Sequence, residues 1–271
     1  MSHSAPPTYS SCRLDHHGIV AGICKKLQIA SHIDELIDSP DSKHVTYGEA
    51  VVAMIINMLG FTSRPLYLTE EFFRNKPRDL INPNIDPSHL NDDCLGRTLD
   101  KLFDSGTTEI FSSVATRILN QLDIEVNLAH LDTTSISLTG EYESQTPIDD
   151  ESSGERGVIH ITRGHSKDHR PDLKQACLLL ITEHSHGIPV YMEALDGNQS
   201  DVKSFRESLN RFKSQLEDDS CPIMVMDAAF FCEPNIQEHQ DVLWVSRVPE
   251  KFKALKDVYE MLATHAACVI G

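Results

Sequence analysis

The spacing of apolar residues changes character at Asp123, and this confines the chain to a helical first part and a sheet-forming second part. Ahead of Asp123, apolar residues recur every three or four positions, the spacing of one helix face. Thr46-Tyr-Gly-Glu49 reads as a capping box, in which the Thr hydroxyl and the Glu carboxylate satisfy each other's orphan backbone amides. Val51, Val52, Ile55, Met58 and Leu59 continue that helix, and Gly60 is its expected stop. Another helix is expected near Ile19–Gln28, and one more from about Thr108, where Ile110, Val114 and Ile118 stand one turn apart. Residues 77–87 hold three prolines among Asn and Asp and read as a loop. Residues 1–13 read as a loose tail, and 14–122 as a helical domain.

Past Asp123 the pattern turns to strands. Glu125–Leu138 is rich in β-branched, alternating residues. Gly140 to Gly157 is polar and acidic, an expected exposed loop. Lys174–Thr182 and Ile188–Leu195 are apolar runs joined by Glu183-His-Ser-His-Gly187, a β-hairpin signal. Val202, Phe205, Leu209, Phe212 and Leu216 repeat at 3, 4, 3 and 4, marking a helix capped by Ser200 or Asp201. Ile223–Met226 is a short apolar strand ending at Asp227; Leu243–Val248 reads as a strand and Phe252–Leu262 as a helix. Three sequential antiparallel strands followed by alternating helix and strand suit a mixed sheet with flanking helices, so the fold class is α/β over residues 123–271.

Composition narrows the setting. Hydrophobic residues make up 40% and charged residues 24%, which suits a globular chain with a real core. The apolar runs are too short to span a bilayer and the first residues are polar, so neither a membrane anchor nor a signal peptide is expected. Seven cysteines stand singly with no CxxC, the pattern of reduced thiols in a cytoplasm. The net charge of −17 runs against a phosphate-rich partner, which needs local Lys and Arg. Carboxylates that bind cations and local basic clusters on an acidic chain offset that objection.

Two acids carry the candidate chemistry. Asp132 interrupts the strand Leu128-Ala-His-Leu-Asp132-Thr-Thr-Ser, where an acid is costly to bury unless paired or bound to a cation. Asp227 ends a strand at its carboxyl side, where open α/β sheets place ligands. If the two strands are neighbours, both carboxylates share a site, and a divalent cation relieves their repulsion. Magnesium suits such all-oxygen ligands. A helix cap or surface turn is the plainer reading of either acid alone.

His165, Lys167, Asp168, His169 and Arg170 form a dense polar cluster. It reads as a DNA-backbone contact through Lys167, Arg170 and Lys174, or as a solvated loop. A zinc site from His165 and His169 with His184 or His186 lacks a closed set of four ligands. The first helices could form a helix-turn-helix or a packed bundle, and no basic recognition helix stands out. His130 shares a face with Asp132 and reads as a half-buried, satisfied histidine or a residue that tunes the site.

Four segments resemble one bacterial insertion-sequence transposase family: Leu131-Asp132-Thr-Thr-Ser, Gly164-His-Ser-Lys-Asp-His-Arg-Pro-Asp-Leu-Lys-Gln175, Leu195-Asp-Gly-Asn-Gln-Ser-Asp201 and Val225-Met-Asp227-Ala. The resemblance runs from about Leu14 to about Val248. It implies a helical N-terminal domain of unassigned function followed by a ribonuclease-H-like domain of the DDE type. It further implies cleavage and transfer of DNA strands at insertion-sequence ends, with Asp132 and Asp227 as catalytic, metal-binding acids for Mg2+ or Mn2+. The implied partners are element ends, target DNA and further copies of the chain, in a bacterial cytoplasm. The family's third acid is expected in a Tyr-x2-Arg-x3-Glu-x6-Lys pattern. Counting from Tyr259, Leu262 takes the place of Arg and Ala266 that of Glu. The sequence reading is therefore a domain incomplete at its C-terminus. Its alternative function is a truncated, inactive chain that binds DNA or subunits and inhibits transposition.

Overall fold

The computed structural model describes residues 11, 14–37, 44–59, 64–142, 158–165, 169–199, 201–216 and 221–249. The chain divides into two compact units, residues 1–121 and 122–271.

The first unit is built from α1 (His17–Lys26), α2 (Ile29–Leu36), α3 (Tyr47–Met58), α4 (Thr69–Arg74), α5 (Asp92–Ser105) and α6 (Thr107–Leu122). Its central element is α3, and the capping box starts it: Glu49 N–H donates to Thr46 Oγ1 at 3.1 Å and Thr46 N–H to Glu49 Oε2 at 2.9 Å. The other carboxylate oxygen, Oε1, accepts from Asn82 Nδ2 at 2.7 Å, tying the 77–87 loop to the helix start. That loop contains two 3-10 turns, Arg78–Leu80 and Pro87–His89. α3 is apolar on nearly every side. Ala50, Val52, Ala53, Met54 and Ile56 are buried, whereas Met58 and Leu59 of the expected stripe are 75% and 59% exposed. Val51, Val52 and Ile55 of that stripe do pack in the core, and spacing alone misses the buried Ala50, Ala53, Met54 and Ile56. Gly48 lets α2 approach closely, since a β-carbon there would lie 2.0 Å from Ala30 O. Buried Asn57 closes the far end, donating to Arg64 O at 2.8 Å and accepting from Arg64 N–H at 2.9 Å. Gly60, the expected stop, lies outside the described residues. With this burial and no Lys or Arg, α3 is a core helix.

The second unit is a five-stranded mixed sheet in the order β3-β2-β1-β4-β5. The strands are β1 (Leu128–Leu138), β2 (Lys174–Glu183), β3 (Pro189–Leu195), β4 (Ile223–Met226) and β5 (Trp244–Ser246), with helices α7 (Asp201–Ser214) and α8 (Glu233–Glu238). β2 runs antiparallel to β1 and β3, while β4 runs parallel to β1 and β5. β1 begins three residues later than the 125 start read from the sequence, and β5 is shorter than 243–248. The expected helix over 252–262 and most of the 140–157 loop lie outside the described residues.

Strand alternation sorts this sheet into two faces. One carries Ala129, Leu131, Leu179, Ile181, Tyr191, Met224 and Met226, all buried. Phe205, Leu209 and Phe212 of α7 supply further buried core, as the 3, 4 spacing requires. Glu193 anchors the α7 side, accepting from Tyr191 Oη at 2.9 Å and Ser208 Oγ at 2.7 Å and pairing with Arg211 Nη2 at 2.5 Å. Burial and the adjacent Glu193 carboxylate push the Tyr191 hydroxyl well above its ordinary pKa. The other face carries His130, Asp132 and Thr134, all exposed.

Candidate functional site

Asp132 lies on β1, on the exposed face. Asp227 is the residue after β4, also exposed. The parallel ladder pairs Leu128 with Ile223, Ala129 with Met224, His130 with Val225 and Leu131 with Met226. The last pair of that register, Leu131 with Met226, immediately precedes Asp132 and Asp227, on strands about 4.8 Å apart. Each acid has a local partner: Asp132 Oδ1 accepts from Thr133 N–H at 2.7 Å, and Asp227 Oδ1 from Ala229 N–H at 3.2 Å. Asp227 caps the 3-10 turn Ala228–Phe230, and its own carbonyl accepts from Ser246 Oγ at 2.9 Å. The cap fixes where the Asp227 backbone turns away from the strand, at its carboxyl end. Both residues are exposed, so an ion that keeps part of its water shell suits them. Among the described residues, no three His, Cys, Asp or Glu side chains gather into a ligand cluster.

His130 stands two residues before Asp132 on the same face. It is exposed rather than half-buried. Its partner is His184, with Nε2 of His130 2.7 Å from Nδ1 of His184 and ring centroids 5.0 Å apart. His184 follows β2, and its backbone N–H donates to Leu128 O at 3.0 Å, so it stands diagonally across the ladder from His130. Glu183, one residue earlier, is buried and holds the hairpin turn: its carboxylate accepts from Ser185 N–H at 2.5 Å and His186 N–H at 2.7 Å. Burial raises the Glu183 pKa, but the two amides outweigh it and the net direction is downward. The sequence named each histidine without pairing them, because the ladder register that joins them is long-range.

The segment with the most distinctive sequence has a structural role. Gln175 Nε2 donates to Gly197 O at 2.7 Å and to His165 O at 3.3 Å. Gln175 also pairs with Thr162 through the backbone in both directions, at 2.8 and 3.2 Å. Gly197 N–H donates to His160 O at 2.9 Å, and Asp196 Oδ1 accepts from His160 N–H at 2.7 Å. A β-carbon on Gly164 would lie 2.0 Å from Gly197 O. This contact is backbone against backbone, which only glycine permits. Thus Gly164, Gln175 and Gly197 clasp the 160–165 stretch against the ends of β2 and β3.

Two of the basic residues expected to touch DNA, Arg170 and Lys174, are engaged within the chain. Arg170 is forked onto Asp172, with Nε to Oδ1 at 2.8 Å and Nη2 to Oδ2 at 2.7 Å. That hydrogen-bonded guanidinium pulls the Asp172 carboxyl down to about 2. Lys174 Nζ donates to Glu141 O at 2.9 Å and also to Tyr142 O. Lys167 lies outside the described residues, as do Ser166 and Asp168. No helix among the described residues is long and apolar enough to cross a membrane.

Residues 9–116 match a family model described as "Domain of unknown function (DUF4277)". No curated protein matches the chain. A search of solved structures returns the Mos1 transposase paired-end complex with left transposon end, at 11% identity and a TM-score of 0.28. That alignment covers 93% of this chain and 62% of that one, so the chain spans less than two thirds of its length.

Proposed function

We propose that the second unit is a ribonuclease-H-like domain that cleaves and joins DNA strands at the ends of an insertion sequence, with Asp132 and Asp227 as two of its metal-binding acids. The parallel pairing of β1 with β4 supports this reading, because its last partners, Leu131 and Met226, immediately precede Asp132 and Asp227. The strand order supports it too: β2 alone runs against the other strands, and the two acids belong to the central pair. The matched helical first unit is consistent with the domain order that the sequence resemblance implies.

On this reading Asp132 and Asp227 hold Mg2+, with Mn2+ as a substitute, through carboxylate oxygens that still face solvent. The bound ion supplies Lewis acidity and charge neutralisation at the phosphate. The chain's own part is to fix the two carboxylates on rigid strands and to leave the exposed sheet face open to a duplex. Arg170 and Lys174, with Lys167, contribute backbone contacts that orient the DNA. Element ends, target DNA and further copies of the chain are the partners, in a bacterial cytoplasm. A second reading is a catalytically inactive chain that binds element ends or active subunits and inhibits transposition. Ala266, at the position where the resemblance expects the third acid, favours it.

Cleavage of DNA carrying the element's ends, with Mg2+ or Mn2+, separates the two. Strand cleavage by the native chain that is lost in both Asp132→Ala and Asp227→Ala supports the enzyme. Binding of the ends without cleavage supports the inhibitor, and neither binding nor cleavage overturns both.

A further inference from the structure

We infer that His130 and His184 form a two-histidine site for a borderline divalent transition-metal ion such as Zn2+, chemically distinct from the acidic pair on the same strand system. The two nitrogens that would bind it already converge: His130 Nε2 and His184 Nδ1 are 2.7 Å apart. The rings lie at 26° to each other with centroids at 5.0 Å, so the two facing nitrogens meet almost head-on. Both side chains are exposed, which gives an ion access and leaves room for waters to complete its shell.

The backbone under the pair is fixed before any ion arrives. His130 sits within the β1 ladder, paired with Thr182 on one side and Val225 on the other. His184 is held by its N–H to Leu128 O and by the adjoining turn that Glu183 clamps. Zinc–nitrogen bonds of about 2.0–2.1 Å at a tetrahedral angle place two nitrogens about 3.3 Å apart, so the rings need to open by only roughly 0.6 Å. Side-chain rotation of two exposed histidines provides that.

The chemistry of the exchange balances without loss of a proton. In the neutral pair one ring donates N–H to the other. On binding, the donor ring takes its other tautomer, moving its proton to the remote nitrogen, and both facing lone pairs coordinate the ion. Imidazole nitrogens select Zn2+, Ni2+ or Cu2+, whereas carboxylates select Mg2+ and Mn2+. One sheet face thus presents two sites of different hardness. The chain's net charge of −17 favours accumulation of any divalent cation near it. This differs from a grouping of His184 with His165 and His169: the structure joins His184 to His130.

Zn2+ titration of the whole chain tests this, read as bound equivalents by calorimetry or by competition with a chromophoric chelator. The chain has 14 histidines, so only the difference between variants is informative. His130→Gln and His184→Gln are each expected to lose the same single equivalent, about one per chain, and the double variant no more than either. Zn2+ should raise the thermal midpoint of the native chain and raise it less in each variant, with circular dichroism showing that each variant is folded. Asp132→Asn combined with Asp227→Asn should keep the equivalent, which separates this site from the acidic one. Equal Zn2+ binding by the native chain and the histidine variants would overturn the site. So would loss of the equivalent in the acidic double variant alone.

Discussion

Gln175 and Gly197 hold each other through one hydrogen bond and one close backbone approach. The side-chain amide of Gln175 donates to Gly197 O at 2.7 Å, and a β-carbon on Gly197 would come within 1.9 Å of Gln175 O and 2.7 Å of Thr162 O. Neither carbonyl can retreat without breaking the Thr162–Gln175 pairing that it helps to form. Gly197→Ala is therefore expected to destabilise the second unit by about 1–3 kcal/mol or more, as overpacking does. Urea denaturation checks this. An unchanged midpoint would mean that the clasp contributes nothing to folding.

The buried Glu183 carboxylate gives the fold an acid-sensitive element. Its pKa is depressed in the folded chain, because the Ser185 and His186 amides outweigh the cost of burial. A depressed carboxyl contributes stability in full above its unfolded value of 4.5, and loses it as pH falls through the lower folded value. Glu183→Gln should accordingly lower the urea midpoint at about pH 7, with the gap to the native chain narrowing toward about pH 3. A gap of the same size at both pH values would show that the charge of Glu183 is not what holds the turn.

Asp172 fills the guanidinium fork of Arg170 that a phosphate would need on the proposed reading. The guanidinium fork is already matched to a carboxylate, at 2.7 and 2.8 Å, with both side chains more than half exposed. If Arg170 contacts DNA, Asp172→Asn should strengthen binding to element-end DNA. It should also steepen the fall of affinity with salt by about 0.9 in log–log slope, the signature of one added phosphate contact. Gel shifts across a salt series measure this. Unchanged affinity and slope would remove Arg170 from the DNA-contacting set.

Local chemistry in the sequence was legible, and long-range pairing was not. The Thr46–Glu49 capping box and the α7 stripe depend on neighbours three and four positions away, so spacing reveals them. The partnership of β1 with β4 joins residues about a hundred positions apart, and no local pattern encodes a parallel pairing. The sequence could only make the shared site conditional on that pairing. The polar cluster around 164–175 attracted a DNA-binding interpretation because Lys and Arg are conspicuous. Gly164 and Gln175 also serve packing, a role shared with Gly197 and readable only once two backbones are seen to touch. In α3 the stripe was plain, but its last two members, Met58 and Leu59, lie exposed at the helix end.

On the proposed reading, Asp132 and Asp227 bind one cation between them. Mn2+ binding to the native chain, Asp132→Asn, Asp227→Asn and the double variant, followed by electron paramagnetic resonance, tests it most directly. The account predicts that each single variant weakens the same Mn2+ site and that the double variant loses little more than either, because the two carboxylates act as one unit. Additive losses, or a bound Mn2+ indifferent to both substitutions, would show that the neighbouring acids do not share an ion and would contradict the account.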